Sequence, residues 1–273
     1  GFSQYLGYLV HLEAWEQKAV SGLVIIVITI LLYRKTGSIG KIGVLLWSGV
    51  LLTLGWIILG GVAHGNFLQP LKEINNEFDW NKIGSFIFGQ ACIKTVYSYL
   101  GYYNVCHLGG EIINPGKNIP RSMFISVIGI AILYLAMNVS VSSVISWQEI
   151  KAWQNNDQNN FVVSTFIERL YGNGAAKIAT VMILWVAMAS LFAVMLGYSR
   201  VPYAAAADGA FFKIFARLHP TKNFPYISLL ILAGLAFIFS LLFKMKHVID
   251  GILAMRILVQ FVGQAIGVIL LRK

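Results

Sequence analysis

Charge is what this sequence has least of. Only 12% of its 273 residues are Asp, Glu, Lys or Arg, about half the share found in ordinary soluble domains. With 58% hydrophobic residues and a mean hydropathy of +0.72, that scarcity excludes a soluble globular chain and leaves a multispanning membrane protein, with the lipid bilayer as its first partner. Cysteine is nearly absent too. Cys92 and Cys106 fall in one apolar stretch, which excludes a disulfide framework, and no His or Cys spacing suits zinc, so neither metal nor cofactor is expected. Also missing are paired carboxylates, or a nucleophile with a base, at one depth, which argues against an enzyme. No basic segment precedes an apolar core at the start, and Gly1 is no initiator; the chain is expected to begin inside a larger protein. No soluble domain and no low-complexity segment interrupts it.

What is present is a series of long apolar runs. They predict a single transmembrane domain of about seven spans, 17–33, 42–62, 84–112, 121–147, 175–202, 225–243 and 248–271. Residues 1–16 read as the tail of an earlier helix plus a loop. In the second span Gly55, Gly60 and Gly61 allow close helix packing. An Asn- and Gln-rich loop, WQEIKAWQNNDQNN, follows the fourth span, and a basic loop with a short amphipathic helix, DGAFFKIFARLHPTKNFP, follows the fifth. Asn138-Val139-Ser140 matches a glycosylation triplet but lies inside a span.

The net charge of +10 would suggest nucleic acid in a soluble domain. Here it is distributed by side, so no nucleic-acid partner is expected. Eleven basic residues follow spans one, three, five and seven: Arg34, Lys35, Lys41, Lys117, Arg121, Arg200, Lys213, Arg217, Lys222, Arg272 and Lys273. Seven lie on the other side: Lys18, Lys72, Lys82, Lys151, Arg169, Lys244 and Lys246. The positive-inside rule then puts residue 1 outside and residue 273 in the cytoplasm, in the plasma (inner) membrane.

The chain is organised around Gln90–Arg121. Lys94 lies inside an apolar run, the cluster Tyr97-Ser98-Tyr99-Leu100-Gly101-Tyr102-Tyr103-Asn104 follows, and Glu111, Asn114, Pro115 and Pro120 close it. Unsatisfied polar groups in hydrocarbon cost several kcal/mol each, so such a helix lines a cavity rather than facing lipid. At 29 residues in the range 84–112 it also exceeds the roughly 20 needed for a perpendicular crossing. A break near Ser98–Tyr102 explains the length, since Gly101 tolerates non-helical angles; the competing reading is an unbroken helix whose tyrosines pack on neighbours.

Three stretches carry a family resemblance. GGEIINPGKNIPRSMF is similar to the pattern closing helix six of amino acid permeases of the amino acid-polyamine-organocation (APC) superfamily. SRVPYAAAADGAFFKIFARLHPTKNFP resembles the end of helix eight and its loop, and QFVGQAIGVILLRK the end of helix ten. The resemblance implies an all-α polytopic helical bundle, part of an inverted-repeat, LeuT-like transporter with a broken helix. It matches the seven spans to helices four to ten of twelve, truncated at both ends. It further implies a secondary active transporter moving amino acids by alternating access. Tyr97, Ser98, Tyr99, Leu100, Gly101, Tyr102 and Asn104 would contact the substrate, and H+, Na+ or an exchanged amino acid would be the coupling partner. Tyr102 is bulky where relatives often carry a small residue, and no acidic residue accompanies Asn104. A transporter of another small amine or organic cation is therefore the alternative.

Other polar groups in the spans have paired readings. Lys94 shares a face with Ser98 and either meets a substrate carboxylate or stands in for a coupling cation. Otherwise it snorkels outward from about 12 Å depth. Arg256, Gln260 and Gln264 form a stripe that reads as a packing or cavity face. His107 and Glu111 read as sharing a face, for a gate, a stabilising hydrogen bond or a proton relay. A seven-helix receptor is the rival class; a retinal protein needs a lysine deep in its last helix, where Arg256 stands instead. A channel is disfavoured because no filter sequence occurs. The oligomeric state is not encoded in any motif.

Overall fold

In hydrocarbon, backbone hydrogen bonds must close within a segment, so apolar runs of this length become helices. The computed structural model describes residues 2–34, 36–70, 72, 86–99, 101–153, 161–242, 255, 259 and 262–271, and no strand occurs among them. The helices are α1 (Phe2–Leu9), α2 (Ala14–Leu32), α3 (Thr36–His64), α4 (Phe86–Tyr99), α5 (Pro115–Ser142), α6 (Trp147–Trp153), α7 (Val162–Tyr171), α8 (Asn173–Tyr198), α9 (Arg200–Ala207), α10 (Tyr226–Leu242) and α11 (Val262–Leu271). A ten-residue 3-10 segment, Tyr102–Glu111, joins α4 to α5, and a shorter one, Lys213–Ala216, follows α9. By length and composition, α2, α3, α5 and the stretch formed by α8 and α9 can each cross a membrane; α10 is apolar but shorter.

α8 is the common partner of the bundle. It packs on α1, α2, α3, α7 and the long 3-10 segment, and its small residues Ala176, Ala179, Ala189 and Gly197 are buried. Towards one end Ala189, Phe192 and Met195 join Val24, Ile25, Ile28 and Leu32 of α2, Ile39 and Leu46 of α3, and Leu229 and Ala233 of α10. Towards the other, Ala179 joins Ile57, Ile145, Phe166 and Ile167. Without a hydrophobic force between helices in lipid, close approach and internal hydrogen bonds hold such a bundle. Both occur. A Cβ on Gly61 of α3 would come within 2.7 Å of Ser140 Cα on α5, so these helices touch backbone to side chain. Trp185 Nε1 of α8 donates to Leu46 O at 3.1 Å, and the hydroxyls of Ser164 and Thr180, both fully buried, lie 2.9 Å apart.

Local chemistry sets the helix ends. Glu16 accepts from the Glu13 N–H at 2.8 Å at the start of α2. At its end Lys222 Nζ donates to Tyr33 O at 3.0 Å and lies 4.5 Å from that ring's centroid, a cation on a helix C-terminus. This ties the basic loop 208–224 to α2.

Some boundaries differ from the sequence reading. α5, the helix of the expected span 121–147, begins at Pro115, because Asn114 adopts φ 49° and Pro supplies the first-turn φ. The Asn-Pro pair thus opens α5 rather than closing the preceding helix. The loop after α5 is partly helical: Trp147–Trp153 forms α6, and α7 follows. In the basic loop the helical part shrinks to four residues of 3-10. The glycosylation triplet is helical within α5, where Asn138 donates to Tyr134 O and Ser140 is buried. Of the expected last span, Arg256 and Gln260 lie outside the described residues.

Candidate functional site

α4 stops at Tyr99 and does not resume as α-helix. Leu100 lies outside the described residues. Gly101 has φ 114°, ψ −12°, an angle open to glycine and costly for other residues. The chain then winds as 3-10 from Tyr102 to Glu111, far longer than the three or four residues usual for this helix, which marks strain or a hinge. Asn104 N–H donates to Gly101 O at 2.9 Å, closing the first turn after the break.

α5 and α8 hold the two sides of this break. From α5, the Tyr134 hydroxyl donates to the Ser98 carbonyl at 2.9 Å, satisfying one of the last acceptors of α4. The Tyr134 and Tyr99 rings meet edge-on at 5.4 Å. From α8, Gly197 faces the 3-10 segment, where a Cβ would sit 3.8 Å from Asn104 Cβ and from His107 Cδ2. A chain of rings continues along the segment: Tyr102 to Tyr103 at 5.2 Å, Tyr103 to His107 at 6.2 Å, and His107 to Tyr198 at 5.5 Å. Asn104 Oδ1 is buried and, among the described residues, has no hydrogen-bond partner. A buried acceptor without a partner costs about 1–3 kcal/mol, and a ligand donor would relieve that cost.

Of the sequence-derived site residues, Ser98 and Tyr99 end α4, Gly101 forms the turn, and Tyr102 and Asn104 lie in the first 3-10 turns. Tyr97 and Lys94 are helical in α4, but their side chains are outside the described set. His107 lies in the 3-10 segment, and the side chain of Glu111, its expected partner, is outside the described set. Tyr134 and Gly197 were not legible from the sequence, since a tyrosine in mid-span and a glycine near a helix end read as packing. Among the described residues no group of three His, Cys, Asp or Glu could hold a metal ion.

The arrangement offers a helix C-terminus with its carbonyl dipole and a buried amide oxygen with no partner among the described residues. That set suits the ammonium end of a ligand.

A family profile described as amino acid permease matches residues 1–272. Similar curated proteins include the serine/threonine exchanger SteT of Bacillus subtilis (strain 168), 27% identical over 205 residues, covering 74% of this chain and 44% of that protein. The large neutral amino acids transporter small subunit 2 of Rattus norvegicus is 29% identical over 191 residues, 67% of this chain and 33% of its own. The Asc-type amino acid transporter 1 of Mus musculus is 28% identical over 201 residues, 71% and 36% respectively. The chain spans less than half the length of these relatives.

Proposed function

The chain belongs to the amino acid permease family, and from that premise we propose that it forms the helix four to ten portion of a secondary active transporter that moves amino acids by alternating access. The family carries an all-α, LeuT-like helical fold, and its members' names are those of transporters rather than enzymes. The observation that carries the proposal is the end of α4 at Tyr99, with Gly101 at φ 114° and a 3-10 continuation. Such a break exposes backbone donors and acceptors where a zwitterion must be held away from water. Fixed dipoles can do this without burying extra charge, each ion of which costs at least about 2.5 kcal/mol in mid-membrane.

In this reading Tyr97, Ser98, Tyr99, Leu100, Gly101, Tyr102 and Asn104 contact the amino acid, and Lys94 carries a charge or coupling role. Asn104 Oδ1 is the natural acceptor for the substrate ammonium, because it is buried with no partner among the described residues. The driving partner is H+, Na+ or an exchanged amino acid; the Bacillus relative, named an exchanger, supports exchange. The protein sits in the plasma (inner) membrane with residue 1 outside and residue 273 cytoplasmic, as the charge asymmetry suggests.

Uptake of labelled amino acids by the full-length protein in liposomes tests this. Saturable uptake is expected, accelerated by an amino acid inside or by an ion gradient. No uptake of any amino acid under either condition refutes it.

A further inference from the structure

A second group of polar and aromatic residues gathers around Glu168, apart from the helix break. Between α1, α6 and the start of α7 is a cavity of about 290 Å3 lined by Tyr8, Trp153, Phe161, Thr165 and Glu168. Tyr8 packs on the Phe161 ring at 5.3 Å, and Tyr5 braces the same ring edge-on at 5.6 Å. The Tyr8 hydroxyl donates to Glu168 Oε2 at 3.0 Å. Burial, then the hydrogen bond and charge of Glu168, raise that phenol above its ordinary range, so it stays a donor.

The guanidinium of Arg169, next to Glu168 in the chain, is already engaged. Arg169 Nη1 lies 2.7 Å from Glu149 Oε2, and its guanidinium rests 5.7 Å from the Trp153 ring centroid. Among the described residues Glu168 has no cationic partner, so the cavity keeps a net negative wall beside three aromatic rings. A carboxylate with ring faces is the chemistry that recognises an ammonium group. An anion would meet the charge of Glu168, and an apolar ligand would strip its water without replacing it. The volume, at the low end for small-ligand sites, admits an amino acid or small amine. Glu168 is exposed and the other four residues are half-buried, so the carboxylate end opens to water.

We propose that this cavity binds the ammonium group of an amino acid or small amine at the outer face, as a station apart from the helix break. The outer placement and the choice of an amino acid rest on the transport reading; the ammonium chemistry does not.

The test uses the full-length protein in detergent micelles and saturation-transfer NMR titrations of methylammonium and L-alanine, with tert-butanol as a neutral control. Glu168→Gln and Trp153→Ala are each expected to weaken methylammonium binding at least tenfold. Tyr8→Phe, which frees Glu168 Oε2, is expected to leave binding equal or tighter; weakening as large as that of Glu168→Gln would mean a structural role and overturn the proposal. Glu168-dependent binding of both probes assigns the site to amino acids, and of methylammonium alone to free amines. Unchanged titration in Glu168→Gln, or tert-butanol binding as well as methylammonium, refutes the site. Liposome uptake separates the two readings. Uptake with an insensitive Glu168→Gln titration removes the cavity alone, whereas Glu168-dependent binding without any uptake removes the transport reading alone.

Discussion

Replacing Gly101 measures what the break is worth. At φ 114°, ψ −12° any side chain strains the backbone by on the order of 1–3 kcal/mol. Among the described residues space is not the obstacle, since the nearest atom to a Cβ there is Asn104 Nδ2 at 3.5 Å, an ordinary contact. Alanine therefore reads strain almost alone, asparagine recovers part of it because it tolerates positive φ, and valine adds β-branching. If the strained geometry is the one that binds substrate, a loss of about 1–3 kcal/mol lowers its occupancy roughly 5- to 150-fold. The expected order of uptake in liposomes is wild type, then Gly101→Asn, then Gly101→Ala, with Gly101→Val lowest. Membrane expression and thermal unfolding are read on the same samples and should move little. Gly101→Ala transporting at the wild-type rate, or all three variants failing together through lost expression, would refute the reasoning.

Three further outcomes are expected. Gly61→Ala drives a Cβ to within 2.9 Å of the Ser140 carbonyl oxygen, where backbone cannot yield; it should cost about 1–3 kcal/mol and lower the unfolding temperature in detergent, while Gly55→Ala, whose Cβ would have no described atom within 4 Å, should not. Thr180→Val orphans the buried Ser164 hydroxyl and should cost about 1–3 kcal/mol. Ser164→Ala should cost less, because Thr180 keeps its bond to Ala176 O at 2.8 Å, and a double variant more destabilised than the sum of the two would contradict this. In a cysteine-free background, a cysteine at Thr221 should resist impermeant labelling from outside while one at Asn156 reacts; equal rates would overturn the orientation.

The sequence revealed the fold where hydrophobicity alone decides. α2, α3, α5 and α8 are apolar almost all round, so their runs stand out against charged ends. The break was legible because Gly101 sits among tyrosines in a run too long to cross once. What stayed hidden depends on contacts between distant positions. That Tyr134 serves Ser98 and that Gly197 faces Asn104 require α5 and α8 to be placed first. The 3-10 winding was equally hidden, because its side-chain preferences differ too little from those of an α-helix. α6 was obscured by the Asn- and Gln-rich run beside it.

The 3-10 winding of Tyr102–Glu111 also stores spare length. Ten residues advance about 20 Å as 3-10 helix and about 15 Å as α-helix. Rewinding would retract the segment by about 5 Å, one α-helical turn. Each step would turn about 20° less, so His107 would swing roughly 100° about the axis relative to Tyr102. Spin labels at Tyr102 and Ile112 would register such rewinding as a shortening when substrate is added, and a constant separation would exclude it. A segment wound this way is a telescope as well as a hinge, able to draw its two ends together as it carries a ring past α8.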